Sequence, residues 1–149
     1  MTRIATVLVA VAGLGLAACG GGEDRLSQEE FVEQGNAICA AGTARQEKAA
    51  EAAFGDASAE DPPSEEEFVA FIRDSIIPDL ERQFDELDDL DPPEDVEDDL
   101  DEGLAAARKA VDTAKENPDS MLEEDSDVNF ERANTLLART GLDVCAEDA

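Results

Sequence analysis

Leu26-Ser27-Gln28-Glu29-Glu30-Phe31 combines several signals for the start of an α-helix. Ser27 is a preferred N-terminal capping residue, and Glu30 follows at the spacing of a capping box, in which each side chain bonds the other's backbone N–H. Leu26 and Phe31 occupy the two positions whose apolar side chains pack together across such a start. This stretch therefore predicts that the chain beyond it is helical.

Small and apolar residues continue from this start at steps of three and four, the spacing of one helix face. They are Phe31, Gly35, Ile38, Gly42, Ala49 and Ala52, with Val32, Cys39 and Ala53 beside them. A glycine inside a helix costs about 1 kcal/mol relative to alanine. We therefore expect Gly35 and Gly42 to mark places where another element approaches the helix closely.

Ser64-Glu65-Glu66-Glu67-Phe68 repeats the same start signal and predicts a second helix. Its apolar face is the richest in the chain, which suggests that it forms the centre of the core. Pro78 interrupts that face, so we expect a kink near Ile77 or two abutting helices. Its apolar residues are Phe68, Val69, Phe71, Ile72, Ile76, Ile77, Leu80, Phe84, Leu87 and Leu90.

Two more helices follow. Asp91-Pro92-Pro93 predicts a start with Asp91 as the cap and Pro92 at the first helical position, and Asn117-Pro118 predicts the end. The last helix carries Phe130, Ala133, Leu136 and Leu137. Gly141 and Leu142 predict a Schellman stop, followed by a tail that contains Cys145. Residues 118–126 are expected to form a loop with a helical turn near Met121.

The predicted fold class is therefore all-α. We expect residues 26–149 to form an antiparallel up-down-up-down bundle of about four helices, with the second helix kinked at Pro78. The chain carries 39 acidic residues and few aromatic ones, a composition that also occurs in disordered segments. The periodic apolar faces favour helices.

The first residues have the features of an export signal. Arg3 precedes an apolar run of about 15 residues that ends at Leu16-Ala17-Ala18-Cys19-Gly20, whereas a membrane-spanning helix needs about 20. This pattern resembles bacterial lipoprotein signal peptides. The resemblance implies that residues 1–18 are a signal peptide, that cleavage falls between Ala18 and Cys19, and that Cys19 carries a diacylglycerol. A plain secretion signal and an uncleaved anchor are the alternatives.

Residues 19–25 are then the lipidated cysteine and a flexible tether. With Cys19 lipidated, the two remaining cysteines, Cys39 and Cys145, are able to pair in an oxidising compartment. Helix lengths at 1.5 Å per residue put both at similar heights in the predicted bundle. The expected disulfide closes the bundle; two free buried thiols are the alternative.

Charge excludes several functions. Without Arg3, ten basic residues face 39 acidic ones, a formal net charge of −29. Such a charge repels phosphate backbones and anionic lipid headgroups alike. We therefore expect no nucleic-acid binding and a domain that stands off the bilayer.

The candidate chemical sites are weak. Asp125, Asp127 and Asn129 match the first positions of an EF-hand calcium loop, but Phe130 replaces its glycine and Leu136 its bidentate glutamate. A second acidic run, residues 95–102, is read as a solvated helix face. The chain has no His, Trp or Tyr, and Ser27 and Ser64 are explained as caps. We expect no catalytic residue, no cofactor and no metal site.

The complete pattern resembles a group of small helical lipoproteins of high-GC Gram-positive bacteria. The matching segments are the Leu16–Cys19 and Leu26–Phe31 stretches, Ile38-Cys39-Ala40, Ile76-Ile77-Pro78, Asp91-Pro92-Pro93, and the ending from Ala133 to Cys145. The resemblance implies a helical domain anchored by lipid to the extracytoplasmic face of the cell membrane.

Two functions follow from these expectations. The first is a non-enzymatic binding protein of the cell envelope, attracted over a distance to a basic protein or cell-wall partner. The alternative is a carrier of a small ligand or of a divalent cation, with its site in a cleft near Pro78 or on the acidic faces.

Overall fold

The structure, a computed structural model, describes residues 25–57, 62–122 and 128–147, and within these ranges the chain is a bundle of helices without strands. The α-helices are α1 (Gln28–Phe54), α2 (Glu65–Phe71), α3 (Ile77–Asp88), α4 (Glu94–Glu116), α5 (Val128–Arg139) and α6 (Asp143–Glu147). A π-helical turn, Ile72–Ile76, joins α2 to α3, and a 3₁₀ turn, Pro118–Leu122, follows α4. The all-α prediction is confirmed, as is the helical turn near Met121.

Both predicted capping boxes are present. At the start of α1, the Glu30 amide donates to Ser27 Oγ at 3.3 Å, while the Ser27 amide donates to the Glu30 carboxylate at 3.1 Å. Ser64 and Glu67 repeat this arrangement at the start of α2. In both boxes the hydrogen bonds from serine hold the pKa of the glutamate carboxyl below its usual value. These local signals need no tertiary contact to act, which explains why sequence finds them.

The segment around Pro78 stays helical. The Ile77 amide bonds the Ile72 carbonyl, five residues earlier, so the backbone widens by one residue just before the proline. Pro78 then lies in the first turn of α3, where a missing N–H is tolerated because that group has no intrahelical partner. Of the two predicted outcomes, the chain therefore has successive helical segments across this position.

The start of α4 differs from the prediction. Its cap position is Pro93, with no side-chain hydrogen bond, so Asp91 is not the cap and Pro92 precedes the helix. The two prolines hold the preceding backbone extended and keep Asp91 too far back to reach the first turn. The Asp91 carbonyl instead accepts a hydrogen bond from the Leu26 amide at 2.8 Å.

Packing joins the helices in a closed order. α1 packs against α3, α3 against α4, α4 against α5, α5 against α6, and α6 against α1. The core lies inside this ring. Its largest fully buried side chains are Phe31, Leu87, Leu104, Leu142, Val111 and Thr140.

The central helix is α4, not the helix predicted from the richest apolar face. The prediction is wrong for α2, which has no buried residue, although Ile77, Phe84 and Leu87 of α3 are buried. α4 contributes the small residues that allow close packing: a Cβ added at Gly103 would lie 3.3 Å from Leu136 Cβ. Its buried residues are Leu100, Gly103, Leu104, Ala107, Ala110, Val111 and Ala114.

The end of α5 is the predicted Schellman stop. Gly141 has a φ of 90°, the Leu142 amide bonds the Leu137 carbonyl, and the Gly141 amide bonds the Ala138 carbonyl. The tail that we expected beyond it is instead the short helix α6. This stop turns the chain back onto α1, and α6 is held there by contacts described below.

We expect the two caps to differ in their effect on stability. Ser27→Ala should lower the free energy of unfolding by about 1 kcal/mol, the usual cost of losing a cap. Ser64→Ala should leave global unfolding nearly unchanged and accelerate amide hydrogen exchange in α2, because α2 buries no side chain. Urea unfolding followed by circular dichroism, together with hydrogen exchange, measures both.

Repeating the unfolding measurement at several pH values tests the contribution of Glu30 to the cap. The pKa of Glu30 is lower in the folded state, so its contribution is fully present above the unfolded pKa and is lost as pH falls through the folded value. Glu30→Gln should therefore remove part of the loss of stability in acid. Equal global destabilisation by Ser27→Ala and Ser64→Ala would contradict this account.

Candidate functional site

The predicted lipidation and cleavage residues, Ala18 and Cys19, lie outside the described residues. The other predicted pair is present: Cys39 of α1 and Cys145 of α6 form a disulfide, with their Cα atoms 5.1 Å apart and a sequence separation of 106. Both residues are buried. The expected disulfide is confirmed.

Two polar side chains of α1, Gln28 and Asn36, bind backbone groups in the turn before α6 and at the start of α6. We call these two side chains the polar seam. Asn36 Nδ2 donates to the Gly141 carbonyl at 3.1 Å, and Asn36 Oδ1 accepts from the Val144 amide at 3.0 Å. About two turns earlier on α1, Gln28 Nε2 donates to the Thr140 carbonyl at 3.0 Å. These hydrogen bonds provide partners for three partly buried backbone groups, those of Thr140, Gly141 and Val144. Sequence analysis did not identify this role.

Gly35 lies beside the polar seam and is a site of close approach, as predicted. A Cβ at Gly35 would collide with the side chain of Leu142, which is completely buried. The expectation for Gly42 is also confirmed, because a Cβ there would collide with the Gln83 side chain of α3.

Gln83 is held in place by the one buried carboxylate of the described chain, Asp79. Asp79 accepts hydrogen bonds from Arg45 Nε at 2.7 Å, Gln46 Nε2 at 3.2 Å and Gln83 Nε2 at 2.9 Å, and it also pairs with Arg82. A carboxylate accepts about four hydrogen bonds in all. The hydrogen bonds from Arg45 and Gln46 join α1 to α3, and those within α3 fill the remaining acceptor positions of Asp79. Asp79 is therefore a structural residue.

A small cavity lies beside the disulfide, between α1, α3 and α5. Its volume is about 30 Å³, and its lining includes Leu80, Phe84 and Leu137. A single water needs about 10–15 Å³ by this kind of measure, so the space accommodates about two. Ligand pockets are much larger, on the order of 300–1,000 Å³. This cavity is thus too small for a small-molecule ligand.

The acidic residues concentrate where the chain emerges from the predicted tether. Twelve of the eighteen residues 85–102 are Asp or Glu, and none is Lys or Arg. Arg25 reaches this segment, with its guanidinium 3.0 Å from the Pro92 carbonyl and 2.9 Å from the Glu97 carboxylate. We call residues 25–28 together with residues 85–102 the acidic end. Because the predicted tether ends at Arg25, the acidic end lies where the tether joins the helical domain.

The acidic run at residues 95–102 lies on α4 within the described part of the chain. No group of three His, Cys, Asp or Glu side chains within residues 25–57, 62–122 and 128–147 is arranged to hold an ion. Residues 123–127, which include Asp125 and Asp127 of the calcium-loop match, lie outside the described residues. Phe130 and Leu136, which replace the glycine and the glutamate of that loop, are buried.

Three phenylalanines form a cluster at the other end of α1, and two of them, Phe68 and Phe71, were predicted to lie on the core face of the second helix. The ring centroids of Phe54 and Phe68 are 5.8 Å apart and stacked, and Phe71 lies 5.0 Å from Phe54 in an edge-on arrangement. Phe68 is 40% exposed and is the one large hydrophobic residue classed as exposed among those described. We call these three residues the aromatic cluster.

Comparison of the chain with protein-family models, curated proteins and solved structures gave no match. Within the part of the chain that the structure describes, no helix has the length and apolar character required to cross a membrane.

We expect the disulfide to supply a large share of the stability. Closing a loop of 106 residues is worth about 4.7 kcal/mol in the chain-entropy model. The double substitution Cys39→Ser/Cys145→Ser should lower the free energy of unfolding by about this amount, measured by urea unfolding. Cys19→Ser, the matched single change, should leave it unaltered; an unchanged unfolding energy in the double variant would contradict the prediction.

Proposed function

We propose that this chain is a lipid-anchored protein of the extracytoplasmic face of the cell membrane, and that its acidic helical domain acts by binding a basic protein or cell-wall partner. The proposal includes the signal peptide over residues 1–18, lipid on Cys19, and a tether up to Arg25. The observation that carries the binding role is the excess of negative charge left after the chain's own ion pairs are formed.

That excess follows from where the basic residues are used. Among the described residues, seven basic side chains form ion pairs within the chain: Arg25, Arg45, Arg73, Arg82, Arg108, Lys115 and Arg132. The chain has only 11 Lys and Arg in total against 39 acids. Many carboxylates therefore lack a counter-charge within the chain, and a partner with a basic surface is the complement.

The cysteine arrangement supports the location. Disulfides persist in oxidising compartments such as the cell surface and are rare where thiols are kept reduced. With Cys39 and Cys145 paired, the third cysteine stands alone at the position of the lipobox match. An exported protein with lipid on Cys19 accounts for all three cysteines.

We also propose the finer fold prediction, an antiparallel up-down-up-down bundle with a bend near Pro78. Its support is that the start of α1 bonds both the α3–α4 connection, through Leu26 and Asp91, and the end of α5, through Gln28 and Thr140. The connection from α3 to α4 is also short, as is usual between antiparallel neighbours.

In this arrangement the acidic end faces the membrane. The tether from Cys19 to Arg25 is only six residues long, and each residue spans at most about 3.5 Å. The twelve acids of residues 85–102 then lie near the lipid headgroups and repel anionic ones, with a range of about 8 Å at physiological salt. The opposite end of α1, about 40 Å away along the helix, is directed outward.

We propose a binding role rather than catalysis or ligand transport. The one buried carboxylate of the described chain, Asp79, is already hydrogen-bonded, and the cavity beside the disulfide has room for about two waters. The larger cleft of about 600 Å³ at the end of α1 is open to solvent and lined by carboxylates, which suits a partner surface better than an enclosed ligand. A partner surface needs neither a reactive group nor an internal pocket.

Crosslinking in intact cells tests the proposal. We expect one predominant crosslinked partner with a basic surface, and we expect the dissociation constant of the purified pair to rise about tenfold between low and high salt as the Debye length shortens. An affinity that does not depend on salt would contradict the proposed electrostatic attraction. A partner that is covalently altered on incubation with the chain would contradict the non-enzymatic role.

A further inference from the structure

The phenylalanines of the aromatic cluster are less buried than the other three phenylalanines of the chain. The chain has six, and Phe31, Phe84 and Phe130 are buried in the core. The other three, Phe54, Phe68 and Phe71, pack on one another between the end of α1 and α2, and Phe68 stays 40% exposed. Because no residue of α2 is fully buried and Phe68 is not part of the core, core packing does not explain why Phe68 is there.

Acidic residues are frequent in the sequence around this cluster, and basic residues are scarce. Between Lys48 and Arg73 the sequence has seven acidic residues and no basic one. Glu51, Asp56 and Glu67 line an open cleft of about 600 Å³ whose lining also includes Phe54. Glu65 and Glu66, in the first turn of α2, are exposed. An apolar centre with a charged rim of one sign is the anatomy of a protein-binding surface.

We propose that the aromatic cluster is the docking surface for the basic partner, and that it binds a cationic segment of a protein in which Arg or Lys alternates with apolar side chains. The apolar groups cover Phe68, the guanidinium or ammonium groups lie over the ring faces or against the rim, and Glu51, Asp56 and Glu67 supply the counter-charge. This inference rests on the proposed function and locates its contact surface.

Charge decides between this occupant and a second copy of the chain. Each copy carries a formal net charge of −28, and the rim of the cluster is itself acidic. Bringing two such surfaces together opposes like charges across an interface, which costs free energy. A cationic segment gains from the same charges. In the proposed orientation the cluster also points away from the membrane, where a partner has access to it.

Nuclear magnetic resonance offers a direct test, because the chain has no Trp, Tyr or His and only six phenylalanines. The full chain, labelled at phenylalanine and held in nanodiscs of zwitterionic lipid, is titrated with a short peptide of alternating Arg and Leu. We expect shifts at Phe54, Phe68 and Phe71. The core signals of Phe31, Phe84 and Phe130 serve as internal controls and should move little.

Matched variants separate the apolar and the charged contributions. Phe68→Ser should weaken peptide binding about tenfold and leave urea unfolding unchanged, because α2 lies outside the core. Glu51→Gln/Asp56→Asn should also weaken binding, because both residues line the cleft beside Phe54. Asp95→Asn/Asp98→Asn, the same charge change at the acidic end, should have a smaller effect. A peptide with Ser in place of every Leu should bind more weakly than the original.

The outcomes distinguish this inference from the proposed function. Salt-dependent binding that Phe68→Ser does not change, or that Asp95→Asn/Asp98→Asn weakens more than the substitutions at the rim of the cluster do, overturns the docking surface and leaves the basic partner standing. Shifts at the cluster that appear without peptide as the protein concentration rises identify a second copy as the occupant and overturn the proposal. If neither peptide binds at low salt, the proposed function fails as well.

Discussion

The disulfide between Cys39 and Cys145 completes the contact on which the bundle depends, that of α6 with α1. α6 is five residues long and is too short to be stable as an isolated helix. It is held by the disulfide, by Leu142 against Gly35, and by two hydrogen bonds with Asn36, which donates to the Gly141 carbonyl and accepts from the Val144 amide. Without this contact the packing order from α1 through α5 would be open, and α1 would contact the remainder chiefly through α3.

This dependence follows from the composition. Repulsion among 39 acidic residues opposes compaction, and the core is built mainly of alanine, leucine and three phenylalanines. Small residues on α4 allow α5 to approach closely, but they bury little apolar area per residue. A covalent link that restricts the unfolded chain therefore contributes a large part of the margin between folded and unfolded states.

The features that could be predicted correctly from the sequence are those that depend on neighbouring residues or on a simple count. The capping boxes at Ser27 and Ser64, the glycine with positive φ at Gly141, and the pairing of Cys39 with Cys145 each depend on a few residues or on counting. Prediction from the sequence failed for Asp91, where two prolines moved the helix start, and for Phe68, because periodicity identifies an apolar face without saying what covers it. The polar seam of Gln28 and Asn36 on the face of Gly35 and Cys39 was a usable signal for a backbone contact.

In the proposed protein one cysteine serves the membrane anchor and two serve the fold, and the intact mass of the protein extracted from membranes tests this most directly. After thiol alkylation without reduction, we expect a chain that begins at Cys19 with diacylglycerol and N-terminal acylation, no alkylated cysteine, and a mass two hydrogens below that of the dithiol. An alkylated Cys39 or Cys145, or a Cys19 without lipid, would contradict it.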